Sequence, residues 1–344
     1  MKTIKLPSRF IGLAFSLLSQ LSNAQTNIPA GATEWYLGTL DNVPQYVLEM
    51  GKGPAIIVIH GGFGAEHSYL LDAFSHLSKH HRVVFYDQRG SLRSRVENSK
   101  ISISAFVEDL ELLRKQLGAS KAVLLTHSMG SVTAMAYLAK YPENVQGLIL
   151  TAPVHAMPIK ENMLPFDPEV MSTTDFQTIK QKVSILEQER EKNIVAEIKK
   201  HKIAPPPQSA DTYINTPGVG LNEFQRWRIQ FGAANLYHAE RWQQAKGGQS
   251  FYNQQTADAI WSNPDVKELW KGFRPALEQF QGPVEVILGD HDYIDPDAFI
   301  WKKQVARLKK AKLSVLPKAG HSYWIDQPAL SKRALSDAVE RSFR

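Results

Sequence analysis

Residues 122–138 read Ala122-Val123-Leu124-Leu125-Thr126-His127-Ser128-Met129-Gly130-Ser131-Val132-Thr133-Ala134-Met135-Ala136-Tyr137-Leu138. The run Ala122 to Leu125 has the length and apolar character of a buried strand, and Met129 to Tyr141 is compatible with a helix stopped by Pro142. Between them, Thr126-His127-Ser128-Met129-Gly130 occupies a strand-to-helix junction, which is the place of a nucleophile elbow. There a strained turn pushes a serine into the open above a sheet, and its neighbours must be small because the strand and helix backbones nearly touch. Gly130 meets that demand, whereas Thr126 puts a branched side chain where a glycine is usual. Taken alone, the string also fits a strand that ends in a helix cap.

Working outward, the chain alternates. Glu34 to Leu40 and Gln45 to Glu49 read as strands around an Asp41-Asn42 turn, and Ala55 to Ile59 as a buried strand ending in glycines. A helix is predicted over His67 to His80, with Leu70, Phe74 and Leu77 on one face, followed by a strand over Arg82 to Tyr86. Phe106, Leu110, Leu113 and Leu117 recur at helical spacing up to Gly118, and Val145 to Leu150 is again a strand. From about Ala152 the alternation stops, and for roughly 120 residues the pattern gives helices and loops only. Thr174 with Gln177 resembles a capping box for a helix whose apolar stripe is Phe176, Ile179, Val183 and Leu186, and Glu187 to Lys192 reads as a solvated helix face. Pro205-Pro206-Pro207 and Pro217-Gly218 mark a loop before the Trp-, Arg- and Phe-rich stretch Glu223 to Gln244. The alternation resumes with strand Val284 to Leu288, helix Pro296 to Lys309, strand Lys312 to Leu316 and a helix from about Pro328. Strands alternating with helices predict an α/β class with a mostly parallel sheet flanked by helices, into which a helical cap is inserted. The expected parts are core 25–152 and 282–344 and cap 153–281.

Chemistry collects at strand ends. His60-Gly61-Gly62-Phe63-Gly64 follows the Ala55 strand, and its glycines let N–H groups turn toward a substrate oxygen. With the N–H of Met129, that of Gly62 or Phe63 would complete an oxyanion hole. A glycine-rich turn is the plainer reading, and a phosphate loop is disfavoured by the lack of Gly-Lys-Ser/Thr or GxGxxG. Gly289-Asp290-His291-Asp292 and Ala319-Gly320-His321-Ser322 each follow a strand, at the carboxyl edge where open parallel sheets place their sites. The order Ser128, Asp292, His321 is that of α/β-hydrolases. His76 and His80 stand at i, i+4 without a HExxH string, so an exposed polar face outweighs a metal site there. His127 is read as a packing residue. Trp227, Phe231, Tyr237 and Trp242 either line a pocket or fill the cap's own core.

Composition bounds the rest. The chain has 344 residues, 43% hydrophobic and 22% charged, which suits a packed domain rather than disorder. It has no cysteine, which removes disulfides, thiolate metal sites and a cysteine nucleophile. Lys2, Lys5 and Arg9, an apolar Phe10 to Leu21 and Ser22-Asn23-Ala24 form the three zones of an export signal over residues 1–24, with cleavage expected after Ala24 and a periplasmic or secreted destination. Taking those three cations from the formal +6 leaves +3, without a basic run carrying interleaved aromatics, so no nucleic-acid partner is expected. No stable membrane insertion is expected after cleavage, and the oligomeric state stays open.

These strings together resemble an α/β-hydrolase, and more specifically the prolyl aminopeptidase family of serine peptidases. Tyr86-Asp87-Gln88-Arg89-Gly90-Ser91-Leu92-Arg93-Ser94 is similar to that family's DQRGxGxS, His60 to Gly64 to its HGGPG with Phe63 for proline, and Thr126 to Gly130 stands where the family has GGSWG. The resemblance covers 34–152 and about 282–341, and the insertion only by position. It implies a serine hydrolase acting on a small-molecule or short-peptide substrate through an acyl-enzyme, with Ser128 as nucleophile, His321 as base and Asp292, three residues past a strand-ending glycine, as acid in preference to Asp290 and Asp295. It implies no metal or organic cofactor, and a scaffold role for Asp87 and Arg89, for which a turn-stabilising ion pair is the simpler account. The serine excludes an aspartate-nucleophile dehalogenase or epoxide hydrolase. Prolyl aminopeptidase proper, esterase, carbon–carbon bond hydrolase and a non-catalytic ligand-binding member of the fold remain alternatives. In the family a cap glutamate in Trp-x-x-Trp-Glu meets the substrate ammonium. Here Trp227-Arg228-Ile229-Gln230-Phe231 puts Phe231 at that place, Glu223 or Glu240 could compensate, and Arg226 and Arg228 would favour a neutral or anionic group. An uncharged acyl portion is therefore expected to be at least as good a substrate as a free amine.

Overall fold

The computed structural model describes residues 28–161, 164–203, 221–245, 254–266 and 271–344. The proposed export signal lies outside them. By internal contacts the chain divides into residues 1–32 and 33–344. Of the first unit, a turn is described in which the Ala32 N–H donates to the Pro29 carbonyl.

The main sheet of the second unit has eight strands: β1 (Thr33–Gly38), β2 (Pro44–Met50), β3 (Ala55–Ile59), β4 (Arg82–Tyr86), β5 (Ala122–His127), β6 (Val145–Thr151), β9 (Val284–Gly289) and β10 (Ala311–Leu316). They run in the order β1-β2-β4-β3-β5-β6-β9-β10. The β1–β2 and β2–β4 pairs are antiparallel, and the others are parallel. Strands β3, β5 and β9 are buried at every position. Both sheet faces are therefore covered, which explains why these segments read as unbroken apolar runs rather than as alternation. Among the described residues, the α-helices longer than one turn are α1 (Ile103–Gln116), α2 (Gly130–Lys140), α3 (Thr173–Lys200), α4 (Leu221–Ala234), α5 (Gln254–Ser262), α6 (Arg274–Gln279), α7 (Phe299–Val305) and α8 (Pro328–Ser342).

Four expectations need correction. The insertion is not helical throughout, because β7 (Ile159–Glu161) and β8 (Leu164–Pro165) form a small antiparallel ladder whose strands are too short to show a period. Residues 67–79 form a single α-turn, Leu71–Phe74, between two 3-10 turns. Leu70, Phe74 and Leu77 are buried as the spacing requires. The continuous helix fails at its serines: the Ser78 hydroxyl donates to the Ser75 carbonyl at 2.7 Å, a local bond that competes with the helical ladder. The cap of α3 lies two residues upstream of the predicted one. Ser172 Oγ accepts the Asp175 N–H, and Asp175 accepts the Ser172 N–H at 2.8 Å.

Helix α7 also starts later than the sequence suggests. Asp297 and Ala298 take left-handed φ values of 58° and 53°, and the Asp295 carboxylate accepts the N–H groups of Ile300 and Trp301. The buried core cluster runs from Val47, Ile57, Val84, Leu124 and Leu148 on the sheet to Leu110 and Leu113 of α1, Met135 and Leu138 of α2, Leu277 of α6 and Trp301 of α7.

Candidate active site

Strand β5 carries its ladder up to Ser128, whose N–H donates to the Thr151 carbonyl of β6 at 3.0 Å. At Ser128 the backbone turns left-handed, φ 53°, an unfavourable conformation for a residue other than glycine. The helix that follows sits against β3. A Cβ added at Gly130 would stand 2.3 Å from the Ile59 carbonyl oxygen, which makes glycine obligatory there. Thr126, fully buried, is accommodated on the strand, where its carbonyl accepts the Thr151 hydroxyl at 2.6 Å.

Peptide planarity orients two backbone donors. The Ser128 carbonyl accepts both the Ser131 N–H and the Ser131 hydroxyl. The Met129 N–H of that same trans peptide must then point the opposite way, out of the start of α2. Likewise the Gly62 carbonyl accepts the Ala65 N–H, which turns the Phe63 N–H to the other side of its peptide. The Phe63 ring anchors this loop among Phe106 and Trp261. Between the two donors predicted for the glycine loop, this favours Phe63.

At the other end of the sheet, the loops after β9 and β10 are tied together. The Asp290 N–H donates to the Leu316 carbonyl, the His291 N–H to the Ala319 carbonyl, and a Cβ at Gly289 would stand 1.9 Å from the Ala319 oxygen. The result places His321 Nδ1 3.0 Å from each oxygen of Asp292. Asp292 is fully buried and also accepts the Ile294 N–H. A carboxylate in that position accepts, so Nδ1 carries the proton and Nε2 is left as the basic nitrogen. Neither rival acid reaches the ring. Asp290 holds His291 at 2.6 Å, and Asp295 caps α7, with burial pushing its carboxyl up to about 7. Asp326, which sequence reasoning missed, accepts the N–H groups of Gly320, Tyr237 and His238 and so fixes the His321 loop to the segment after α4.

Ser128 and Met129 lie in the wall of a cavity of about 270 Å³. Val132, Val154, Leu164, Pro165, Val183, Trp261, Phe273, Tyr293 and Ile294 make it apolar, and His155 and Glu187 are its other polar lining residues. Burial holds the His155 imidazole down to about 4, so it is neutral, and Glu187 is the one acidic side chain among the described lining residues. Helix α3 supplies Val183 and Glu187, one turn apart. One turn further, the Arg190 guanidinium stacks 3.7 Å above the ring of Tyr293, and Tyr293 in turn packs against His321. The Glu187 to Lys192 stretch is thus solvated only in part.

A family model described as the alpha/beta hydrolase fold matches residues 54–328. The chain belongs to the alpha/beta hydrolase fold family. A proline iminopeptidase of Saccharolobus solfataricus is 38% identical over 111 residues, 31% of this chain and 36% of that protein. A putative non-heme chloroperoxidase of Synechocystis is 34% identical over 121 residues, 35% of this chain and 44% of that protein. The chain spans well under half the length of the curated relatives it matches. Among solved structures, a thermophilic esterase from Thermogutta terrifontis superposes with a TM-score of 0.59 at 20% identity, covering 91% of this chain and all of that one. A proline iminopeptidase-related protein from Thermus thermophilus gives 0.57 at 24% identity, covering 91% and 98%.

Two of the substrate residues expected in the cap, Glu240 and Phe231, stand away from the cavity. Glu240 is 57% exposed and pairs with His238, and neither it nor Phe231 lines the cavity. The side chains of Glu223 and Trp227 lie outside the described residues. Trp242 fills the cap's own core and donates to Glu197, while Arg228 stacks on Trp242 and Arg226 reaches the Ile203 carbonyl. Neither arginine lines the cavity, so the argument for an anionic group fails. Asp87 and Arg89 form no mutual pair: Asp87 holds His67 at 2.7 Å, and Arg89 forks onto Asp41 and Asp109. His76 and His80 fall on a 3-10 turn and at its end. His60 accepts the Gln88 N–H through Nε2, and burial lowers it to about 4. The lining residues Val154, His155, Tyr293 and Ile294 were missed although they follow the carboxyl ends of β6 and β9, where the strand-end rule applied to every strand would have placed them.

Proposed function

We propose that this chain is a serine hydrolase that cleaves ester or amide bonds through an acyl-enzyme intermediate. The observation that carries the reading is the buried His321, held through Nδ1 by both oxygens of Asp292 and packed on Tyr293, a lining residue of an apolar cavity that is also walled by a serine on a left-handed turn. In this reading the Ser128 Oγ bonds to the substrate carbonyl carbon as His321 Nε2 takes its proton. Charge that develops on the carbonyl oxygen is met by the N–H groups of Phe63 and Met129. Collapse breaks the bond to the alcohol or amine, which leaves with the proton from His321. Water then attacks the acyl carbon by the same route in reverse and frees Ser128.

The cavity fits a small apolar acyl group, and ester or amide substrates with an uncharged acyl portion are the class it supports best. Prolyl aminopeptidase activity is a second reading, favoured by the position of Glu187, whose carboxylate is available to a substrate ammonium. The test has two parts. A fluorophosphonate probe should label Ser128, and Ser128→Ala should lose labelling and at least about a thousandfold in kcat while the fold persists. A Ser128→Ala variant that keeps most of its activity sinks the mechanism. Next, kcat/KM is compared on proline arylamide, on the same arylamide acylated on nitrogen, and on short acyl esters. A preference of about a hundredfold for the free amine, equal to some 2.7 kcal/mol, that disappears in Glu187→Gln would establish the aminopeptidase reading instead.

A further inference from the structure

Tyr69 has no part in the chemistry of Ser128, His321 and Asp292, yet its hydroxyl sits where their loops meet. The Gly61 N–H donates to Tyr69 Oη at 2.7 Å, and Oη lies 2.8 Å from His127 Nδ1. On the far side of the imidazole, His127 Nε2 lies 3.2 Å from the His321 carbonyl. Tyr69 and His127 are buried, and the rings of His127 and His321 are 4.7 Å apart.

The proton positions in this chain follow from its ends. A carbonyl only accepts, so His127 Nε2 must carry hydrogen. Burial, with His321 beside it, holds the His127 ring well below its ordinary range, so it is neutral and Nδ1 is bare. Nδ1 therefore accepts, and Tyr69 must donate to it; burial also pushes the phenol up, which keeps its proton in place. Each bond has one possible direction, from Gly61 N–H to Tyr69 to His127, and from His127 to His321.

Three separate loops are joined. Gly61 belongs to the glycine loop after β3, His127 is the last residue of β5 where the elbow begins, and His321 belongs to the loop after β10. Strands β3 and β5 are neighbours, but β10 stands three places beyond β5 at the sheet's edge, so the strand ladder does not itself set the third loop against the first two. The contact is close as well as polar: a Cβ on Gly61 would stand 2.7 Å from both the His127 oxygen and Ser128 Cβ. A shift in this chain therefore reaches the Phe63 donor, the nucleophile and the base together.

We propose that Tyr69 and His127 are positioning residues that lock the oxyanion loop, the nucleophile turn and the catalytic-histidine loop in register for reaction. The proposal rests on the serine-hydrolase reading. Its signature is loss of transition-state stabilisation with ground-state binding spared, because the chain sets where the oxyanion donors lie while neither Tyr69 nor His127 lines the cavity.

The experiment compares wild type, Tyr69→Phe, His127→Phe and the double variant, each checked for fold by circular dichroism and thermal melting. Readouts are the rate of fluorophosphonate labelling at Ser128, the affinity for a trifluoromethyl ketone, and the affinity for the product carboxylate. Each single variant should lose roughly tenfold to a hundredfold in labelling rate and in ketone affinity, with product affinity unchanged. The double variant should be no worse than the poorer single, because the chain is already broken. Labelling of Tyr69→Phe at the wild-type rate, losses that multiply in the double variant, or equal loss for ketone and product would each overturn the proposal. Wild-type protein that the probe does not label would overturn the serine-hydrolase reading instead.

Discussion

Asp290 and Asp292 differ by two positions on one loop, and the proton bookkeeping at His321 separates them. Only Asp292 touches His321 Nδ1. Asp292→Asn could present an amide N–H to the ring, which would move the imidazole proton to Nε2 and leave Ser128 without a base. The expected loss in kcat is on the order of 10⁴, against less than about tenfold for Asp290→Asn, whose contacts are with His291 and the Ala319 N–H. Steady-state rates of the two variants check this, and equal losses would refute the assignment. This part of the site is legible in the sequence because each group follows a strand end in a fixed order. Its substrate wall is not, because Trp227, Phe231, Glu187 and Trp242 look alike as members of amphipathic helices. Which of them faces the cavity is decided by how the helices pack, and Glu187, read as part of a solvated face, lines it.

At the scale of elements, the central strands β3, β5 and β9 are legible because burial on both faces leaves continuous apolar runs, and α1, α2 and α8 because their boundaries carry ordinary stop and start signals. The partners of Asp87 and Arg89 were not, since an ion pair is chosen by what the fold brings near. Arg89 reaches Asp41 of the β1–β2 turn and Asp109 of α1 with both edges of its guanidinium. Lysine has one ammonium and cannot make that fork, so Arg89→Lys should destabilise the chain by about 3 kcal/mol in urea unfolding, with kcat nearly unchanged in the folded fraction. Gly130→Ala should cost about 3 kcal/mol or more, because its methyl meets the β3 backbone, which cannot yield as a flexible side chain would. An alanine variant within 0.5 kcal/mol of wild type would show that α2 can slide off β3.

For the molecule as a whole, buried neutral histidines couple stability to pH. His60 titrates near 4 in the fold and near 6.5 when exposed, so acidification protonates the unfolded chain first, and the stability present above about pH 6.5 is lost as pH falls toward 4. In His60→Gln that loss is absent. Relative to wild type, the variant should therefore gain about 1.4 kcal/mol per pH unit across that window, read from urea midpoints at several pH values. We also propose export. Intact-mass measurement after expression in a bacterial host should give a chain that begins at Gln25, and full-length protein in the cytoplasm would argue against it. The insertion has a further consequence for how such a protein can change. Its two ends join β6 and β9, which are adjacent parallel strands with Leu148 paired to Val284. The excursion leaves and re-enters the sheet between neighbouring strands, and α6, which contributes Leu277 to the main core, is the last helix before the return. Parallel neighbours always require a crossover, and α6 lies on its returning leg. The stretch between β6 and α6 is thus an exchangeable cassette. Lids of other lengths grafted between the same two anchor points would alter which molecules are admitted, provided they replace the ties that Tyr237 and His238 make to Asp326 and that Trp261 makes to Phe63.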